Sequence, residues 1–125
     1  MKKIFLLFLI STNLFAFEEI YKLGDKFVPI LVNDKNHTTV SKNCESKKCD
    51  ALKILKVVSM KKIDAKDFQG GKNPGAVVCD SIKEAKIIYL KDLSGNENTF
   101  CFLPDKSMVS SGTLEYYARK NDGVK

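Results

Sequence analysis

Four cysteines, at positions 44, 49, 79 and 101 of this 125-residue chain, are the side chains whose type and spacing best suit chemistry. Thiolates can hold zinc, cycle as a redox dithiol, or close structural disulfides. Zinc sites and dithiol centres favour C-x-x-C spacing, whereas Cys44 and Cys49 flank Glu-Ser-Lys-Lys and Cys79 stands far from Cys101. Four cysteines permit three pairings. The loop between Cys44 and Cys49 is short and polar and can close on itself, which leaves Cys79 to pair with Cys101. Two disulfides are therefore expected, contributing about 2 kcal/mol for the short loop and about 3 kcal/mol for the long one.

Other reactive constellations are weak. His37 is the single histidine and sits in a turn-rich stretch, where a solvent-facing loop residue is expected. Asp64, Asp67 and Asp80 are scattered, without the spacing of an acid–base pair. No G-x-S-x-G nucleophile motif occurs, and Gly70-Gly71 and Gly75 lack the spacing and lysine of a phosphate loop. The sequence predicts no catalytic residue, no metal and no cofactor. Its remaining signal is basic charge, a formal +6. Eight lysines lie between Lys42 and Lys66, against Glu45, Asp50 and Asp64. Lysine without arginine or interleaved aromatics is a poor nucleic-acid signature. Such a stretch suits a solvated face, or one that attracts an anionic envelope polymer or another protein. Tyr116 and Tyr117 are adjacent, so one should face the core and the other stay open for contact.

The compartment follows from the N-terminus. Lys2 and Lys3, the apolar run from Ile4 to Ile10 and the small residue Ala16 read as a secretory signal peptide, residues 1–16, cleaved before Phe17. Position 17 is not the cysteine that a lipoprotein requires. The apolar run, broken by Ser11, Thr12 and Asn13, falls short of the roughly 20 residues that span a bilayer. A periplasmic or secreted protein without a transmembrane anchor is expected, an oxidising setting in which disulfides persist. Residues 17–125 have the length of one small domain.

Residues 17–43 look β-rich. Phe27 to Val32 is an apolar run, 33–36 a turn, and 38–41 a returning strand; Pro29 predicts an edge position for the first of these strands. Over 50–63, Ala51, Ile54, Leu55 and Val58 carry helical spacing with Asp50 as cap, and Val57-Val58 with Met60 and Ile63 suit a following strand. Asn73 offers an N-cap and Pro74 fits the first turn of a helix. Residues 85–90 and 99–103 read as a hairpin about Ser94-Gly95-Asn96. Pro104-Asp105 suits the centre of a type I turn, 108–110 a third strand, and 114–120 a terminal helix. The expected fold class is α+β: a small twisted antiparallel sheet with two or three short helices, stapled by disulfides. Residues 17–70 form its β-rich part and 71–121 a helix–hairpin–helix part.

Asn73, Pro74 and Cys79, followed by a glycine-containing hairpin and then Cys101, Pro104, Asp105 and Ser107, make a recognisable pattern. Residues 71–117 resemble a small bacterial envelope domain of unknown function that often carries a hemolysin label. That family commonly has glycine where this chain has Lys106, and it has a tryptophan that this chain lacks. The resemblance implies an exported domain and, through its label, action on membranes. The residues themselves point to a non-catalytic binding domain for an envelope component or a protein. Alternatives are a secreted peptidase inhibitor, presenting 92–98 or 104–107, and a membrane-active toxin.

Overall fold

Neighbouring residues on the same strand are buried on opposite faces of the sheet: Ile30 beside Leu31, and Phe100 beside Cys101, all at most 5% exposed. Side chains alternate across a strand, so both faces of this sheet need cover. A computed structural model, which describes residues 17–124, meets both demands. Strands β1 (Phe17–Leu23), β2 (Lys26–Asn33) and β3 (Thr38–Ser41) precede helices α1 (Asp50–Ile54) and α2 (Pro74–Asp80). Strands β4 (Lys86–Lys91), β5 (Glu97–Phe102) and β6 (Met108–Ser110) follow, and α3 (Ser111–Asn121) ends the fold. The strands close into an antiparallel barrel in the order β1-β2-β3-β6-β5-β4. The signal peptide expected at 1–16 lies outside the described residues.

This corrects the expected α+β fold with its open twisted sheet: the protein is a β-dominated barrel with short helices. The physical reason is the second face. Ile30, Leu90 and Phe100, joined by Tyr21, Leu23, Val28 and Met108, form one apolar cluster inside the barrel. An open sheet with helices on one side would leave that row in water. β1 completes the ring, placing Tyr21 edge-on to Phe100 at 5.6 Å and meeting β4 at Lys22 and Lys91. The outer face of β3, β5 and β6, with Val40, Cys101 and Val109, packs under the helices through Val78, Leu114 and Ala118.

Two local expectations also change. β2 is not an edge strand, because β1 and β3 flank it; Pro29 pairs with Ile20 on one side and precedes the β2–β3 ladder, which starts at Ile30. The strand expected directly after α1, at 57–63, does not form. Instead the C-terminal end of α3 takes up the polar groups of that stretch. Asn121 Nδ2 donates to the carbonyls of Leu55 and Val58 at 3.0 and 2.8 Å, and Asp122 accepts from Ser59 Oγ and from the Met60 and Lys61 N–H groups.

The two disulfides are Cys44–Cys49 and Cys79–Cys101. The second ties α2 to β5. At the start of α2, Asn73 Oδ1 accepts from the N–H groups of Gly75 and Ala76, while its Nδ2 donates to Ser111 Oγ at 3.1 Å. The backbones of α2 and α3 touch there: a Cβ added at Gly75 would lie 1.9 Å from the Ser111 carbonyl oxygen. Replacing Gly75 by Ala must therefore push the helices apart. Gly75→Ala should lose about 3 kcal/mol in urea-induced unfolding, the upper end for overpacking. Gly112→Ala, where the new methyl meets open space, should lose less than about 0.5 kcal/mol. Equal losses would remove the contact from its structural role.

Candidate binding site

The residues singled out by sequence pattern gather into two separate structural joints. Asn73 and Pro74 start α2 and clip it to α3. Pro104, Asp105 and Ser107 form the β5–β6 turn, closed by Lys106 N–H to the Leu103 carbonyl at 2.8 Å. Lys106 adopts a left-handed backbone with φ 71°, the reason glycine suits this place. The turn's side chains face α1. Asp105 Oδ1 accepts from Ser107 N–H and Oγ, and its Oδ2 accepts from Asp50 N–H at 2.7 Å. Ser107 Oγ, fully buried, accepts from Ala51 N–H at 2.9 Å. Asp50, the expected cap, is instead the first residue of α1; Cys49 holds the N-cap position, with its Sγ accepting from Leu52 N–H at 3.4 Å. Asp105 and Ser107 thus cap α1 from a distant turn.

A third region, which no motif marked, is concave. A groove of about 470 Å³ opens between the β2–β3 turn, α1 and α3. Leu52 and Leu55 floor it, Asn33, Thr38 and Asn121 add polar groups, and Lys47, Lys56 and Lys120 bring three cations with no carboxylate in the lining. None of the three lysines is ion-paired among the described residues, whereas Lys42 pairs with Glu18 at 3.4 Å and Lys66 with Asp64 at 3.7 Å. The fold thus sorts the basic stretch: Lys47 and Lys56 enter the groove, and Lys120 joins them from α3. The Cys44–Cys49 loop carries Lys47, which has a left-handed backbone of φ 65° and donates its N–H to the Cys44 carbonyl.

Tyr117 forms one wall. Its hydroxyl donates to the Asn36 carbonyl at 2.7 Å, and Lys120 Nζ lies 5.5 Å from its ring centre. Tyr116 is the open member of the pair at 38% exposure, and His37 stacks on it at 4.2 Å. Sequence reasoning marked Tyr116, Tyr117 and the lysine-rich stretch but could not join them, because α3 supplies its side of the groove from far along the chain.

The groups whose acidity shifts move away from neutrality. Burial, then the hydrogen bond to Glu19, pushes the Tyr21 phenol up to about 12. Burial alone would raise Asp105, but the Ser107 hydroxyl and the N–H groups of Asp50 and Ser107 outweigh it and hold the carboxyl below its ordinary 3.8. The Ser59 hydroxyl lowers Asp122 most; burial opposes it, and the Met60 and Lys61 N–H groups add to the lowering. Among the described residues, no group of three or more His, Cys, Asp or Glu could hold a metal, and no helix is long and apolar enough to cross a membrane. Compared with protein-family models, with curated proteins and with solved structures, the chain matches none.

The Asp105 cap has a pH signature. Its folded pKa lies below its unfolded one, so the unfolded chain binds more protons in the acid range. The cap's full contribution is present above the unfolded value of about 3.9 and is lost as pH falls through the folded value. Asp105→Asn should cost about 1 kcal/mol at pH 7, the usual loss for a helix cap. Its stability should also fall less steeply than the wild type's from pH 5 to pH 2 in parallel urea titrations. Parallel acid limbs would show that Asp105 does not hold α1.

Proposed function

We propose that this protein is an exported, non-catalytic binding domain whose groove takes an anionic ligand, either a cell-envelope component or a group on another protein. The observation that carries this reading is the meeting of Lys47, Lys56 and Lys120 over an apolar floor with no carboxylate among them. Cations so placed raise the local concentration of anions and attract them from a distance. The groove's volume falls within the roughly 300–1,000 Å³ typical of ligand sites. Two disulfides fit an oxidising compartment, and the N-terminal pattern at 1–16 supports export. The resemblance of residues 71–117 to a bacterial envelope domain agrees with that location. It adds no chemistry, because its quoted residues have structural tasks at the two joints.

Titration with tripolyphosphate, followed by amide chemical shifts, tests the reading. Shifts should cluster at Thr38, Lys47, Lys56 and Asn121, and combining Lys47→Gln, Lys56→Gln and Lys120→Gln should weaken binding at least tenfold, roughly 1.4 kcal/mol. Shifts spread equally over Lys61, Lys62, Lys83 and Lys86 would reduce the groove to an ordinary basic surface.

A second reading, a secreted peptidase inhibitor, draws on the β4–β5 turn. Leu93 is 72% exposed at its tip. Asp92 Oδ1 stiffens the loop by accepting from the N–H groups of Ser94 and Asn96, each at 2.9 Å. A rigid loop presenting one apolar side chain suits a peptidase cleft, since its ordering entropy is already spent. The other loop considered, 104–107, is engaged in capping α1. Folded protein at micromolar concentration should slow a serine peptidase that prefers leucine, and Leu93→Asp should abolish the effect. A panel on which the wild type inhibits nothing would dispose of this reading.

A further inference from the structure

We infer that the ligand is an acidic oligosaccharide, long enough to run from the lysine groove past Lys120 onto Tyr116. This deepens and rests on the reading of the groove as an anion site. A second groove, of about 440 Å³, lies beside the first and is lined by Tyr116, Arg119, Lys120, Gly123 and Val124. Lys120 lines both, so the two hollows meet at one cation. Tyr116 and Tyr117 stand edge to face at 5.3 Å, carrying the aromatic wall from one hollow to the other.

The two hollows differ in chemistry, and the difference selects the ligand. In the first, three lysines, unpaired among the described residues, favour acidic groups; Asn33 and Asn121 spend half of each amide on internal bonds, which leaves Asn33 Nδ2 and Asn121 Oδ1 to suit a polyhydroxylated molecule. In the second, the Arg119 guanidinium is already paired with Glu115 at 3.0 Å, so little free charge remains beyond Lys120. What is left there is the partly exposed Tyr116 ring, Val124 at 47% exposure and the alkyl stems of Arg119 and Lys120. His37 stacks against Tyr116 at an interplanar angle of 22° and fixes the ring as a platform. A sugar ring presents C–H groups on its face and hydroxyls on its rim. It can lie on a tyrosine while sugars further along the chain place carboxylates among the lysines. A free inorganic anion would leave the second hollow unused, and a simple acyl chain would cover Asn33 Nδ2 and Asn121 Oδ1, the halves of those amides not spent on internal bonds, without bonding them. A nucleic acid shares the pairing of charge with stacking, but the groove's cations are lysines, without the arginine fork that phosphate recognition favours.

The test uses the folded, oxidised protein and calorimetric titration with digalacturonate, tetragalacturonate, neutral maltotetraose and an eight-residue oligothymidylate. Tetragalacturonate should bind at least tenfold tighter than digalacturonate, with maltotetraose far weaker than either. Tyr116→Ala should erase the gain from chain length, and Tyr116→Phe should restore it. Lys56→Gln should weaken both acidic sugars. Equal affinity for the two acidic sugars would overturn the extended site and leave the anion groove standing. Binding of the acidic sugars that ignores Lys56→Gln, or failure of both to bind, would overturn the groove as their site. Equal binding of maltotetraose would remove the role of charge, and tighter binding of oligothymidylate would replace the sugar by a nucleic acid.

Discussion

A helix of five residues cannot hold itself in water, because one or two internal hydrogen bonds do not offset the entropy of fixing the first turn. α1 exists because its exposed N–H groups are met from outside. Asp105 and Ser107, on the turn between β5 and β6, accept from Asp50 and Ala51, and the Ser107 hydroxyl in turn donates to Asp105. Because Ser107 is fully buried, an unmet partner there would carry a desolvation cost of about 1–3 kcal/mol. Much else hangs on this joint. It sets α1 against the barrel, and α1 supplies Leu52 and Leu55 to the groove floor. Through Cys49 it also fixes the disulfide loop on which Lys47 stands.

The other end of α1 is held with equal specificity by α3. Asn121 donates to two carbonyls beyond the last turn of α1, and Asp122 collects a hydroxyl and two N–H groups from the segment that follows. α3 is anchored at its own start by the Ser110 cap, by the bond from Thr39 N–H to Thr113 Oγ1, and by the close approach of Gly75. The groove is therefore framed by elements that are each braced against the barrel by polar contacts. The backbone positions from which the lysines reach into it are set by the fold.

How much of this could be read in the chain depends on whether the deciding partner is local. Asn73 and Pro74 announce a helix start because a cap and a first-turn proline act within three residues. β2 with β3, and β4 with β5, announce themselves because their strands are joined by short turns with clear apolar patterning. Closure of the barrel is hidden: β1 carries Glu18, Glu19 and Lys22 and meets β4 through a single residue pair, so its sequence does not name its partner. The cap on α1 is hidden for the same reason, with Asp50 and Asp105 separated by 55 positions. His37, Lys47 and Lys106 take left-handed backbones without being glycine, so those turns lack their commonest signal. The lysines of the groove were visible one by one, but only packing separates Lys47 and Lys56 from Lys42 and Lys66, which have carboxylate partners.

That separation limits how the groove can discriminate. A lysine ammonium is a compact charge with rotatable donors, so three of them reward total negative charge more than any particular geometry. In open solvent such attraction is screened beyond about 8 Å at physiological ionic strength. Selectivity must then come from the groups whose places are fixed: the buried amide of Asn33, the Tyr117 hydroxyl held by the Asn36 carbonyl, and the Tyr116 ring backed by His37. At the proposed site, a ligand that satisfied only the charges would bind weakly and exchange freely. One that also covered the apolar floor of Leu52 and Leu55 and lay on the tyrosine would gain contacts that salt does not screen. In the proposed site, the fixed neutral wall, more than the basic charge, would set specificity.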